Sequence, residues 1–167
     1  WSSIRSYEAI DYADKSNKSP FGAFGNNFSL AHMIEPFWPG CESSSDEDFR
    51  KFLKKKNIPL FPWSSQARGF FLKDTSEKES YHPADPNLDE QKRVWHSEEN
   101  LMKRDRCFSM AKEKGFEPIE IALAYVLNQD FPVFPLIGPR NFIETESSVN
   151  SLKVQLTKEE MQWLDLN

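Results

Sequence analysis

Residues 58–63 read Ile-Pro-Leu-Phe-Pro-Trp (IPLFPW), a short apolar run between three lysines and a pair of serines. Such a run suits a buried strand. Pro59 and Pro62 have no N–H to give a ladder, so the run predicts a strand that pairs only in part. Just upstream, DEDFRKFLKKK (46–56) reads as a helix. Asp46, Glu47 and Asp48 suit the positive end of its dipole and Lys54, Lys55 and Lys56 the negative end. Phe49, Phe52 and Leu53 form its buried stripe. Further upstream, FGAFGNNFSL (21–30) reads as a strand with a glycine-rich, irregular exit, and 35–45 as loop. A helix over 3–16 opens the order, stopped at Ser19-Pro20 because the residue before proline avoids the helical region.

Downstream, residues 72–96 are polar and lack a period. A long loop in a compact domain is usually functional or disordered, and this one is the expected specificity element. A helix over 97–114 follows, closed by Gly115 as its C-terminal cap. Pro118 suits the first turn of the next helix, whose IEIALAYVLNQ is apolar on most sides and therefore buried. FPVFPLI (131–137) is a third strand. Gly138-Pro139-Arg140-Asn141 turns into a helix near 142–151, and Thr157 with Glu160 forms a capping box for a last helix.

Strands alternating with helices imply a parallel sheet with right-handed crossovers. Three strands leave both sheet edges open, an association hazard. A closed (β/α)8 barrel takes ~250 residues, whereas this chain has 167. The expected fold is therefore the C-terminal half of a TIM-type (β/α)8 barrel, incomplete as given, with residues 1–167 forming one domain.

Composition limits the function classes. Fourteen Phe and five Trp argue against a disordered chain. A formal net charge of −5 gives no basic footprint for nucleic acid. No apolar run reaches the ~18 residues of a membrane helix. Cys41 and Cys107 are too few for a disulfide framework, so a reducing, cytoplasmic setting is expected. His32, His82 and His96 are scattered and read as surface or capping residues, with no metal site among them.

Several ordered stretches carry a resemblance. IPLFPWSSQARGFF (58–71) resembles the seventh strand and following loop of the aldo/keto reductase family. FPVFPLIGPR (131–140) and the helix after it are similar to that family's eighth strand and cofactor loop. PFGAFGNNFSLAH (20–32) is similar to its sixth strand. Trp1 with IRSYEAIDYA resembles the end of the fifth strand and its helix, and IALAYVLNQ (121–129) the helix before strand eight.

The resemblance implies part of an NADP(H)-dependent oxidoreductase that moves hydride between nicotinamide and the carbonyl carbon of an aldehyde or ketone. It implies a Tyr, Lys, His and Asp tetrad on the first half of the barrel. Tyr7, Tyr12, Tyr81 and Tyr125 match none of those motifs, so no catalytic residue is carried over and the isolated chain is expected to be inactive. It also implies a cofactor site. Trp63 stands where an aromatic stacks on nicotinamide, though a core Trp has the same signature. Ser64, Ser65, Gln66, Ala67, Arg68 and Gly69 stand where a loop wraps the pyrophosphate; small residues let backbone N–H groups approach phosphate. Arg68 is either a bidentate phosphate donor or a solvated loop arginine. Gly138, Arg140 and Asn141 precede a helix N-terminus, with Arg140 the candidate for the adenosine 2'-phosphate. Glu144 and Ser148 fall at adenine and ribose. The family often has Glu-Asn at Ser147-Ser148, and a hydroxyl cannot supply an amide's paired donor and acceptor. Gly25 replaces a polar residue that commonly holds the carboxamide.

The expected partners are a small carbonyl substrate and either the missing N-terminal barrel half or a partner chain. The other reading is a non-catalytic nucleotide-binding or assembly half-barrel that pairs with another chain.

Overall fold

The computed structural model describes residues 2–72 and 87–167. The expected loop over 72–96 falls largely outside the described residues, and its end is helical instead. In chain order the helices are α1 (Ser3–Lys15), α2 (Glu47–Lys56), α3 (Asn87–Trp95), α4 (Glu98–Lys114), α5 (Pro118–Leu127), α6 (Phe142–Asn150) and α7 (Lys158–Leu164). Local chemistry fixes their ends. The Asp46 side chain accepts from the Phe49 N–H at 2.8 Å to open α2, and Asn57 closes it in the left-handed region at φ 52°. Ser97 caps α4, and Gly115 ends it at φ 75°. Reciprocal capping boxes open α5 (Glu117 with Glu120) and α7 (Thr157 with Glu160).

The strands expected over 21–30, 58–63 and 131–137 do not form as regular strands among the described residues. The three stretches do run parallel, joined at single bridges: Phe24 to Leu60, Asn27 to Trp63, and Leu60 to Val133. Residues 60–63 are central. Leu60 N–H donates to Pro132 O at 2.9 Å on one side, and Phe61 N–H to Phe24 O at 2.8 Å on the other. Carbonyls take part too, with Pro62 O accepting from Leu136 N–H at 2.8 Å. The next rung would need a donor from Pro62, and the one before it a donor from Pro59. Each proline therefore deletes one ladder bond, and the regular half-barrel sheet expected from the sequence is reduced to isolated bridges.

Side chains of the central stretch alternate, as a pleated backbone requires. Ile58 and Leu60 are buried in the core, which also holds Phe28, Phe49, Phe52, Tyr125 and Phe131. The other face is open. Phe61 stacks on Phe134 with centroids 5.2 Å apart, yet Phe134 and Leu136 are 54% and 53% exposed. Among the described residues no helix is long and apolar enough to cross a membrane.

Candidate nucleotide site

Pro62 and Leu136 are hydrogen-bonded neighbours, so the loops that leave the ends of their two parallel stretches emerge side by side. The first loop is strained. Ser64, Ala67 and Arg68 have φ of 52°, 47° and 48°, and Gly69 follows at 86°. Non-glycine residues rarely take these values, and such strain persists only where the surroundings enforce it. They are enforced here by a short turn. Ala67 N–H donates to Ser64 O at 2.8 Å and Gly69 N–H to Gln66 O at 3.1 Å. Ser65 Oγ donates to Pro62 O at 2.9 Å, and Ala67 is fully buried.

The second loop leads into α6. Asn141 caps the helix, its side-chain oxygen accepting from Glu144 N–H at 2.9 Å. Glu144 folds back over the same turn. One of its oxygens accepts from Arg140 N–H at 2.7 Å, and the other from Arg140 Nη2 at 3.0 Å. Burial pushes the Glu144 carboxyl up, but the Arg140 backbone and side-chain donors outweigh it and the net shift is down. Ser148 is buried and donates to Glu144 O at 2.8 Å, so its hydroxyl serves the helix backbone. Gly138 is exposed, and a Cβ there would meet nothing.

Arg140, Arg68 and Trp63 are likewise engaged within the chain. Arg140 is held by Glu144 at i,i+4, a spacing the sequence displays. Arg68 forms an ion pair with Glu90 of α3, and its guanidinium lies 4.4 Å from the Phe37 ring centroid. Trp63 carries Trp38 stacked on it, centroids 5.2 Å apart at 24°, with Phe37 edge-on at 5.3 Å. Phe37 and Glu90 stand outside the site as the sequence displays it, and Trp38, on the loop over 35–45, reads there as a lining of the substrate pocket or an exposed loop aromatic, not as a partner of Trp63. An aromatic pair between a helix breaker and a loop was the one available signal, and it does not say which ring it meets.

The expectation that the histidines are isolated is corrected at His32. Its ring nitrogens lie 3.2 Å from Glu99 and 3.3 Å from Asp165, and Nε2 lies 2.8 Å from Lys103 Nζ. The sequence hid this because the partners come from distant elements. A cation's place between those carboxylates is filled by Lys103 itself. Tyr125 is buried, which pushes its phenol up, and it accepts from Arg50 at 3.2 Å. Tyr81 lies outside the described residues.

The donor set fits a dinucleotide phosphate in kind. A capped helix N-terminus and a loop of small residues in positive φ follow the same end of the parallel stretches, and each carries one arginine, Arg140 and Arg68.

The model of the aldo/keto reductase family matches residues 2–166. Norsolorinic acid reductase stcV of Emericella nidulans is 27% identical over 142 residues, 81% of this chain and 35% of the relative. Versiconal hemiacetal acetate reductase of Aspergillus parasiticus is 28% identical over 109 residues, 65% of this chain and 32% of the relative. Among solved structures, the thermostable aldo-keto reductase Tm1743 in complex with the inhibitor epalrestat superposes with a TM-score of 0.56 at 15% identity. That superposition covers 93% of this chain and 43% of Tm1743. The chain therefore spans about a third of the length of these curated relatives.

Proposed function

The chain belongs to the aldo/keto reductase family, and on that premise we propose that it is the cofactor-loop portion of an NADP(H)-dependent reductase of aldehydes or ketones. The observation that carries the proposal is the hydrogen bond between Leu136 and Pro62, which sets the strained 64–69 loop beside the N-terminus of α6. Ser64 to Gly69 with Arg68 would hold the pyrophosphate, Arg140 and Asn141 the adenosine 2'-phosphate, and Glu144 the adenine or ribose, while Ser148, expected there too, keeps its hydroxyl on the helix backbone. Trp63 would stack on nicotinamide. NADPH held there would supply hydride to the carbonyl carbon. The residues of this chain would bind and orient, and the proton donor would come from the family's first barrel half, outside this chain.

On this reading the three parallel stretches are strands six to eight of a barrel. The open face of Phe61, Phe134 and Leu136 supports it, because inward side chains of such barrels are packed by the remaining strands. NADPH consumption by the intact protein across a panel of aldehydes and ketones tests the proposal. Consumption with a carbonyl present, and none by the 167-residue chain alone, is the expected result. Failure of the intact protein to bind either NADPH or NADP+ overturns it.

The same open face favours one second reading, a non-catalytic half-barrel completed by another chain. Exposed apolar area of this kind marks contact surfaces. A native mass with a second chain bound, and no turnover in that complex, would select it.

A further inference from the structure

Helix α3 grips both the strained 64–69 loop and the aromatic loop over 35–41. Gln91 Nε2 donates to Arg68 O at 3.0 Å, while Glu90 takes the Arg68 guanidinium. From the same helix, Arg93 Nη1 donates to Pro36 O at 2.9 Å and lies 3.4 Å from Glu35. Val94 O accepts from Ile34 N–H at 2.9 Å. The two loops also touch directly, through Arg68 over Phe37. Phe37 in turn meets Trp63 and Trp95, each at 5.3 Å, and Trp38 covers a face of Trp63.

We infer that Trp38 takes the nicotinamide's place on Trp63 and that Glu90 holds the latch by occupying Arg68. The inference rests on the cofactor reading above. Ring centroids 5.2 Å apart leave no room for a third ring between Trp38 and Trp63. A nicotinamide stacking on that face must displace Trp38. The displacement is feasible because Trp38 is 54% exposed and its neighbour on the loop, Phe37, keeps the anchoring contacts. Arg68 supplies the trigger. A pyrophosphate offers it several anionic oxygens, and arginine binds these bidentately. Moving the guanidinium from Glu90 to phosphate also removes it from the Phe37 ring, which loosens the loop that carries Trp38. Nucleotide binding and aromatic uncovering are therefore one event, and Glu90 competes against it.

The test uses the intact protein and NADP+, with binding followed by calorimetry and the stacked pair followed by its tryptophan exciton signal in circular dichroism. That signal is assigned by its loss in Trp38→Phe. Saturation with NADP+ is expected to abolish it. Glu90→Gln is expected to tighten NADP+ about tenfold, Glu90→Asp to restore the wild-type value, and Trp38→Ala to tighten binding several-fold. Glu90 and Trp38 are not core residues, so these variants should fold. Calorimetric binding with the exciton signal unchanged overturns the displacement of Trp38 and leaves the cofactor reading intact. Unchanged or weaker binding in Glu90→Gln overturns the latch. No binding by the wild type or by any variant overturns the cofactor reading, and this inference with it.

Discussion

Lys103 Nζ lies 2.8 Å from Nε2 of His32 and 2.8 Å from Oδ1 of Asp165, with its own side chain fully buried. Glu99 adds a second carboxylate at 3.1 Å. Asp165 in turn meets Arg50 at 3.5 Å, and Arg50 reaches the Tyr125 hydroxyl. The cluster ties the turn after α7 to α4, α2 and α5. Removing one member leaves a buried charge without its partner. Lys103→Met is therefore expected to cost about 3–5 kcal/mol in denaturant unfolding. Lys103→Met with Asp165→Leu should recover part of that loss, because both charges then leave together. A cost below about 1 kcal/mol for the single change would show that the cluster is not a stabilising one.

Acid should open the same turn. Burial pushes the Asp165 carboxyl up, but His32 and Lys103 beside it outweigh that and hold it well below the usual carboxylate range. A carboxyl depressed in the folded state contributes stability that is full above its unfolded value, near ~3.9, and lost as pH falls from there toward the folded value. Unfolding free energy measured downward from pH ~5 should decline in the wild type. In Asp165→Asn the part of the decline owed to this group should be missing. Parallel profiles for the two proteins would refute the assignment.

Arg140 is the residue proposed for the 2'-phosphate, and its guanidinium is paired with Glu144. Arg140→Ala should weaken NADP+ by roughly 1.5–3 kcal/mol, the worth of a hydrogen bond to a charged group. It should leave NAD+ nearly unchanged, since NAD+ lacks that phosphate. Calorimetric titration with the two nucleotides decides it. Equal weakening of both would place Arg140 outside the discriminating contact.

Gly115 sits at φ 75° after α4, and a Cβ there would meet nothing. The cost of Gly115→Ala is thus conformational alone and should be about 1 kcal/mol. Gly115→Asn should cost less, because asparagine tolerates the left-handed region. Thermal unfolding of the pair tests this; equal midpoints for Ala and the wild type would contradict the cap.

The two thiols should differ in reactivity. Cys107 is fully buried, donates to Pro118 O at 3.0 Å, and burial pushes its thiol up. Cys41 is half-buried, its sulfur 4.0 Å from that of Met33. The thiolate is the reactive form, so an alkylating reagent should mark Cys41 in the native protein and Cys107 only on unfolding. Peptide mass mapping after brief labelling reads the difference, and early labelling of Cys107 would refute its burial.

The sequence by itself determined the helices and where they stop, save α3 (Asn87–Trp95), which reads as the end of a polar loop. Asp46, Ser97, Gly115, Glu117 with Glu120, and Thr157 with Glu160 all act within one turn, so their chemistry is written in adjacent letters. It also determined that pairing of residues 58–63 would be partial, because a proline lacks its donor in any environment. The family resemblance sits in the same contiguous stretches. Only the tertiary structure decided what those stretches meet. Trp63 is covered by Trp38, Arg68 is held by Glu90, and Lys103 is enclosed by His32 and Asp165. These partners lie on different elements and share no period with each other. Their contacts arise because the core that buries Leu60, Phe52 and Tyr125 draws the elements together. Lys103 and Asp165 then pair where burial leaves them no water.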